Sequence, residues 1–112
     1  ASNPAIVGCE VSGYIKPGYR LINEQGNEIG EIKQLQKEGM SLEKVENDRA
    51  AISIEGPTVG RQIMEGDIIY TDISSNEYKK LTGFEKFLSE TEKTILIEIF
   101  EIKRKTDPRF GL

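Results

Sequence analysis

Glu65 and Asp67, separated by one glycine, are the kind of carboxylate pair that can divide acid and base work between them. Nothing beside them supplies the rest of an active site. The 112-residue chain has no histidine, which removes the usual general base and the commonest metal ligand. Cys9 is its single cysteine, so neither a Cys/His relay nor a thiolate metal cluster can form. The eleven glycines fall in neither a P-loop nor a GxGxxG arrangement, and so read as turn and bulge residues instead of a phosphate cradle. Solvated turn carboxylates are the plainer reading of Glu65 and Asp67. The expected chemistry is recognition without turnover, with no metal and no cofactor held in this chain.

Two other groups of residues have a structural and a functional reading. Lys103-Arg104-Lys105 with Arg109 suit a helix C-terminus, where cations complement the dipole. Beside Phe84, Phe87, Leu88 and Phe110 they equally suit an acidic, hydrophobic peptide. Cys9 is either a buried core thiol or part of the wall of an apolar pocket. Tyr14, Tyr19, Tyr70 and Tyr78 carry no RNA-binding aromatic signature and are assigned to the structure.

Composition sets the frame for these residues. Hydrophobic residues make up 37% and charged residues 30%, an ordinary globular balance for one domain with one core. The run Ile95-Leu96-Ile97 is far shorter than the roughly 20 apolar residues a membrane helix needs, and a lone cysteine implies no oxidising compartment. The cytoplasm is the expected location and a monomer the expected state. The first residue is Ala1 and not Met, which suggests a processed chain or, better, a domain cut from a longer protein. The net charge of −4 is unevenly spread. Through Ile73 there are seven Lys/Arg against twelve Asp/Glu, a net −5, and from Ser74 onward eight against seven, a net +1. An acidic front half is a poor sleeve for a long nucleic-acid backbone, although it can still meet a short terminus.

The front half is written in strand grammar. Val7, Cys9 and Val11 alternate with Ile6, Gly8 and Glu10, and Lys16-Pro17-Gly18 ends that segment. Tyr19 to Asn23 is a second strand, and Glu24-Gln25-Gly26-Asn27 turns into a third around Ile29 to Gln36. Ile29, Ile32 and Leu35 recur every third residue, which alone would suit a helix, while Gly30 and the flanking turns favour a bulged strand. Ala50 to Glu55 and Ile68 to Thr71 complete the set. Five or six short strands with one apolar face each are expected to close into a small antiparallel β-barrel over residues 1–73. Residues 74–112 then change to helix grammar. Ser74-x-x-Glu77 and Ser89-x-x-Glu92 both match the capping box, Gly83 ends the first helix, and Pro108 stops the second. Ile95, Leu96, Ile99, Phe100 and Ile102 form an apolar stripe that must lie on a core, while Ile97 sits about 60° outside it. The competing reading of Thr94 to Ile102 is a strand, because the stretch is rich in β-branched residues.

Read in order, these motifs resemble a known family. Ser2-Asn3-Pro4-Ala5-Ile6-Val7-Gly8-Cys9-Glu10-Val11 and Gly13-x-Ile15-x-Pro17-Gly18-x-x-Leu21 look like the start of the last domain of archaeal initiation factor five B. Gly60-Arg61-Gln62-Ile63, Glu65-Gly66-Asp67-x-x-Tyr70-Thr71-Asp72-Ile73 and the closing Glu101-Ile102-Lys103-Arg104-Lys105-x-x-Pro108-x-Phe110-Gly111 continue the likeness across the chain. The resemblance implies a mainly β fold, a closed barrel like the second domain of GTP-binding translation factors with two C-terminal helices packed on it. It also implies that GTP and Mg belong to a separate domain absent here, so that this chain is not itself an enzyme. The partners it implies are the ribosome, the aminoacyl-CCA end of initiator methionyl-tRNA, and the C-terminal tail of initiation factor one A. In bacterial relatives the amino-acid pocket resembles a Gly-Cys strand facing a second Cys-bearing strand. Gly8-Cys9 matches the first and Ala50 stands at the second, which points to Gly8, Cys9, Arg49, Ala50 and Ala51 for the tRNA end, with Gly60, Arg61 and Gln62 as a second group. Phe87, Ile97, Lys103, Arg104 and Lys105 are the residues carried over for the peptide. The alternative is a docking barrel for proteins with no direct tRNA contact.

Overall fold

The computed structural model describes residues 5–56 and 63–112. Eight strands come first: β1 (Ala5–Glu10), β2 (Tyr14–Ile15), β3 (Arg20–Asn23), β4 (Glu28–Lys37), β5 (Met40–Leu42), β6 (Val45–Glu46), β7 (Arg49–Glu55) and β8 (Ile69–Thr71). Helices α1 (Ser75–Gly83) and α2 (Glu90–Thr106) follow, joined through a 3-10 turn over Glu85–Phe87. The sheet runs in the order β1-β7-β4-β3-β8 with β5 folded back on the end of β4, while β2 and β6 pair as a separate ribbon. Every ladder is antiparallel.

The chain is mainly β with two helices, but the expected closed barrel is not what the described ladders form. β1 and β8 lie at opposite ends of an open path and share no ladder. β8 is only three residues long and is bonded along all of them to β3. The chain leaving β1 pairs as β2 with β6 instead of turning toward β8.

β4 is a strand throughout, and its three-residue apolar spacing has a mechanical cause. Its register against β3 jumps from Leu21–Gly30 to Ile22–Glu28, leaving Ile29 as an extra residue. Against β7 it jumps from Ile32–Ile54 to Gln34–Ser53, leaving Lys33 extra. An extra residue at a bulge resets which way the next side chain points. Ile29, Ile32 and Leu35 all reach the core despite a spacing that alternation would forbid. Gly30 is required at the first bulge: its φ is +150°, and a Cβ there would stand 2.6 Å from the Glu55 carbonyl oxygen.

One face of the sheet holds the core of Leu21, Ile32, Leu35, Val45, Ile52, Ile54 and their neighbours. Ile22 is also buried, yet adjacent strand residues point to opposite faces, so Leu21 takes the core and Ile22 the far side. On that side Ile22 pairs with Tyr70, whose hydroxyl donates to Glu98 Oε2 of α2 at 2.5 Å. α2 therefore covers the back of β3 and β8, burying Leu96, Ile99 and Ile102 from the predicted stripe.

Both capping boxes form. Ser74 Oγ accepts from the Glu77 amide at 3.1 Å and Glu77 Oε1 accepts from the Ser74 amide at 3.0 Å; Ser89 and Glu92 repeat the pattern. Each cap is worth about 1 kcal/mol. α1 runs to Gly83, as expected. Beyond α2 the chain doubles back, placing Phe110 against Tyr78 and Phe100 with ring centres 5.3 and 6.2 Å away. Gly111, at φ +82°, donates its amide to Ser75 Oγ. This return explains the closing aromatic-glycine pair: the ring fills the gap between the helices, and a Cβ on Gly111 would stand 3.0 Å from the Phe100 ring.

Candidate functional site

β1, β7 and β4 lie side by side, and their register sets three residues in one row: Gly8 opposite Ala51, and Ala51 opposite Gln36. Gly8 has no side chain and nothing lies within 4 Å of where its Cβ would be. With only a methyl at Ala51 beside it, the row is low and the surface dips. The dip is a shallow concavity of about 580 Å³ lined by residues 8–10, 36–38 and 49–51. Five of the sequence candidates, Gly8, Cys9, Arg49, Ala50 and Ala51, thus come together across the paired strands β1 and β7.

The rim is charged with both signs. Arg49 is 85% exposed along its side chain and stands 3.9 Å from Glu10 Oε2, its cross-strand neighbour. Lys37 bonds Asp48, whose carboxyl is held below the usual carboxylate range first by that hydrogen bond and then by the Arg49 amide. Glu38 and Gly39, at φ +51° and +78°, make the two-residue turn that joins β4 to β5 and closes the third side. Glu10, Gln36, Lys37 and Glu38 were missed by the sequence reading. The legible signal was the Lys37-Glu38-Gly39-Met40 turn, which would have brought this end of β4 beside β7.

Cys9 fits both of its readings. Its side chain packs against the core while the residue lines the concavity, and burial pushes its thiol pKa upward. Gly60, Arg61 and Gln62 lie outside the described residues. Glu65 and Asp67 stay exposed on a turn, where Asp67 Oδ2 accepts the Met64 amide at 2.8 Å. Among the described residues no group of three or more His, Cys, Asp or Glu side chains could hold a metal. Nor is any described helix long and apolar enough to cross a membrane.

The peptide candidates separate into two kinds. Phe87 and Ile97 are exposed, and Phe84 lies 6.4 Å from Phe87. The cations are engaged within the fold: Lys103 Nζ bonds Asp72 at 2.5 Å, Arg104 Nε donates to the Phe110 carbonyl at 2.6 Å, and Lys105 Nζ donates to the Glu24 carbonyl at 3.0 Å. Their first role is to staple α2 to the sheet and to the returning tail.

Residues 1–70, which contain the three strands of the concavity, match the family model described as elongation factor Tu domain 4. The chain belongs to the elongation factor Tu domain 4 family. It is 53% identical over 99% of its length to a probable translation initiation factor IF-2 from Methanopyrus kandleri. Its identity to the corresponding protein of Ignicoccus hospitalis is 47% over the same share. Among solved structures it is similar to GDP-bound aIF5B from Aeropyrum pernix, with a TM-score of 0.89 and 38% identity over 98% of this chain. In all three cases the chain spans 19% of the other protein's length. This family member thus corresponds to one domain-sized part of archaeal translation initiation factors, and the likeness includes the helices beyond the matched family model.

Proposed function

We propose that the chain is a recognition module of a translation initiation factor, and that its concavity receives the aminoacyl-CCA end of initiator methionyl-tRNA. The observation that carries this reading is the row Gly8–Ala51–Gln36, small at one end, polar at the other and flanked by Arg49 and Lys37. An aminoacyl end needs a shallow seat for a side chain and a cation for the terminal phosphate; the row offers the seat, and Arg49, 85% exposed and 3.9 Å from Glu10, offers the cation. In the parent factor, GTP and Mg are bound by a separate domain, and this module recognises without transforming, on the ribosome.

The test is protection of the methionyl ester from spontaneous hydrolysis as the chain is titrated in at low salt. Protection is expected to fall with rising salt. Gly8→Val, which fills the dip, and Arg49→Glu, which reverses its rim, are expected to abolish it. An ester equally labile with and without the chain, or protection undiminished in both variants, would remove the assignment.

The helical side supports a second reading, a seat for the C-terminal tail of initiation factor one A. Its support is the exposed apolar group Phe84, Phe87 and Ile97. With Lys103, Arg104 and Lys105 bonded internally, this seat rests on apolar contact and not on free charge. Amide perturbations confined to residues after Asp72 on adding initiation factor one A would support it; perturbations confined to the sheet would exclude it.

A further inference from the structure

The outer face that carries the concavity continues past Glu10. Val11 donates its amide to the Asp48 carbonyl at 2.9 Å, and Gly13 and Asn47 are bonded in both directions, through the Asn47 side chain and through its amide. Tyr14–Glu46 and Ile15–Val45 then pair as β2 and β6. The small ribbon therefore prolongs the β1–β7 ladder. Val11, Gly13 and Ile15 are buried, whereas Ser12, Tyr14 and Lys16 are exposed, extending the outward series of Gly8 and Glu10.

At the far end of this series sits an aromatic ring among ammonium groups. Tyr14, which the sequence alone assigns to the structure, is instead 39% exposed, with Lys44 Nζ 4.8 Å and Lys16 Nζ 5.8 Å from its ring centre. Tyr19 backs the ring at 6.2 Å between centroids. Lys16 takes no ion pair among the described residues, and Lys44 is held only at 3.4 Å by Glu46. In a front half of net charge −5, two cations around one exposed ring are an exception that calls for an anionic, flat ligand. Tyr14 lies six positions beyond Gly8, so the two surfaces lie at most about 22 Å apart.

We propose that Tyr14, Lys16 and Lys44 form a second subsite, which takes an unpaired nucleotide of the same RNA 3′ end whose acylated tip occupies the concavity. The base stacks on Tyr14, and the two ammonium groups, on flexible stems, move from the ring to the flanking phosphates. The occupant is single-stranded because a base inside a duplex offers no free face to an aromatic side chain. The inference rests on the aminoacyl-end reading, and it adds a contact that requires no amino acid on the RNA.

The probe is a fluorescent RNA minihelix carrying an unpaired, unacylated ACCA 3′ overhang, compared with a blunt one. Binding is followed by anisotropy with the whole 112-residue chain. The overhang is expected to bind at least roughly tenfold more tightly than the blunt helix. Tyr14→Ala is expected to lose that advantage and Tyr14→Phe to keep it. Replacing both Lys16 and Lys44 with Gln is expected to lower the salt slope by roughly 1.4. Glu46→Gln, which frees Lys44, is expected to tighten binding, an effect no merely structural role would give. Equal binding of overhang and blunt helices, or of wild type and a folded Tyr14→Ala, overturns the subsite. Gly8→Val separates the two claims. If it abolishes ester protection but spares overhang binding, both stand. If wild type binds the overhang but never protects the ester, the concavity assignment falls while the Tyr14 contact survives.

Discussion

Lys103, in the last turn of α2, meets Asp72, the first residue after β8, at 2.5 Å with only 21% and 24% of their side chains exposed. The same ammonium group lies 5.5 Å from the centre of the Phe110 ring. One cation thus joins the end of the sheet, the second helix and the returning tail. Removing either partner strands the other in a half-dry site, so Asp72→Asn or Lys103→Met is expected to cost about 1–3 kcal/mol in urea unfolding. The double variant should cost clearly less than the sum of the two. Additive costs would show that the pair is not coupled.

Tyr19 and Tyr70 give the fold an alkaline limit. Burial raises both hydroxyls to about 12, assisted at Tyr19 by the Tyr14 hydroxyl and at Tyr70 by Glu98. Free tyrosine titrates near 10, so the unfolded chain loses these protons first. Their contribution is fully present below about pH 10 and is lost as pH rises through about 12. Phenolate absorbance of the folded chain should show a late-titrating class. Tyr70→Phe should shrink that class and flatten the fall in stability over the same range.

Gly30→Ala tests the first bulge of β4. The added Cβ would meet the Glu55 carbonyl oxygen at 2.6 Å and Ile54 Cγ2 at 2.9 Å. Both belong to the neighbouring strand, which has no room to retreat without breaking its ladder. A loss of about 3 kcal/mol or failure to fold is expected. A melting temperature within a degree or two of wild type would mean that the bulge is relaxed.

Gly8→Ala is the contrasting case. It lies in a strand with nothing within 4 Å of the new methyl, and its φ is not in the left-handed region. Stability should be unchanged or raised by about 0.4–1 kcal/mol through the unfolded state. Thermal melts check this directly, and a large loss would show that the glycine serves the fold instead of the concavity.

What could be read from the sequence follows how local each signal is. Ser74, Ser89, Gly83 and Pro108 act within a few residues, and both helices lie where these residues place them. β4 was ambiguous because its bulges at Ile29 and Lys33 are defined only against β3 and β7. β2, β5 and β6, at two or three residues each, are too short to show a period, and the open path of the sheet depends on where they pair. Gly8-Cys9 and Arg49 to Ala51 came together through the family likeness, since 38 residues, 11–48, separate their two strands. Lys103, Arg104 and Lys105 were visible as charges, but their acceptors, Asp72 and the carbonyls of Phe110 and Glu24, belong to the folded chain alone.

β4 shares ladders with β3, β5 and β7, more neighbours than any other strand among the described residues. Neither flank can peel away without exposing it, so the two halves of the sheet should melt as a single cooperative unit. In deuterated water the amides around Ile32 and Leu35 should exchange last, only through global opening, while those of the β2–β6 ribbon are replaced early. The proposed RNA-binding end of the molecule would then be its loosest part, free to adjust to a nucleotide while the interior stays shut.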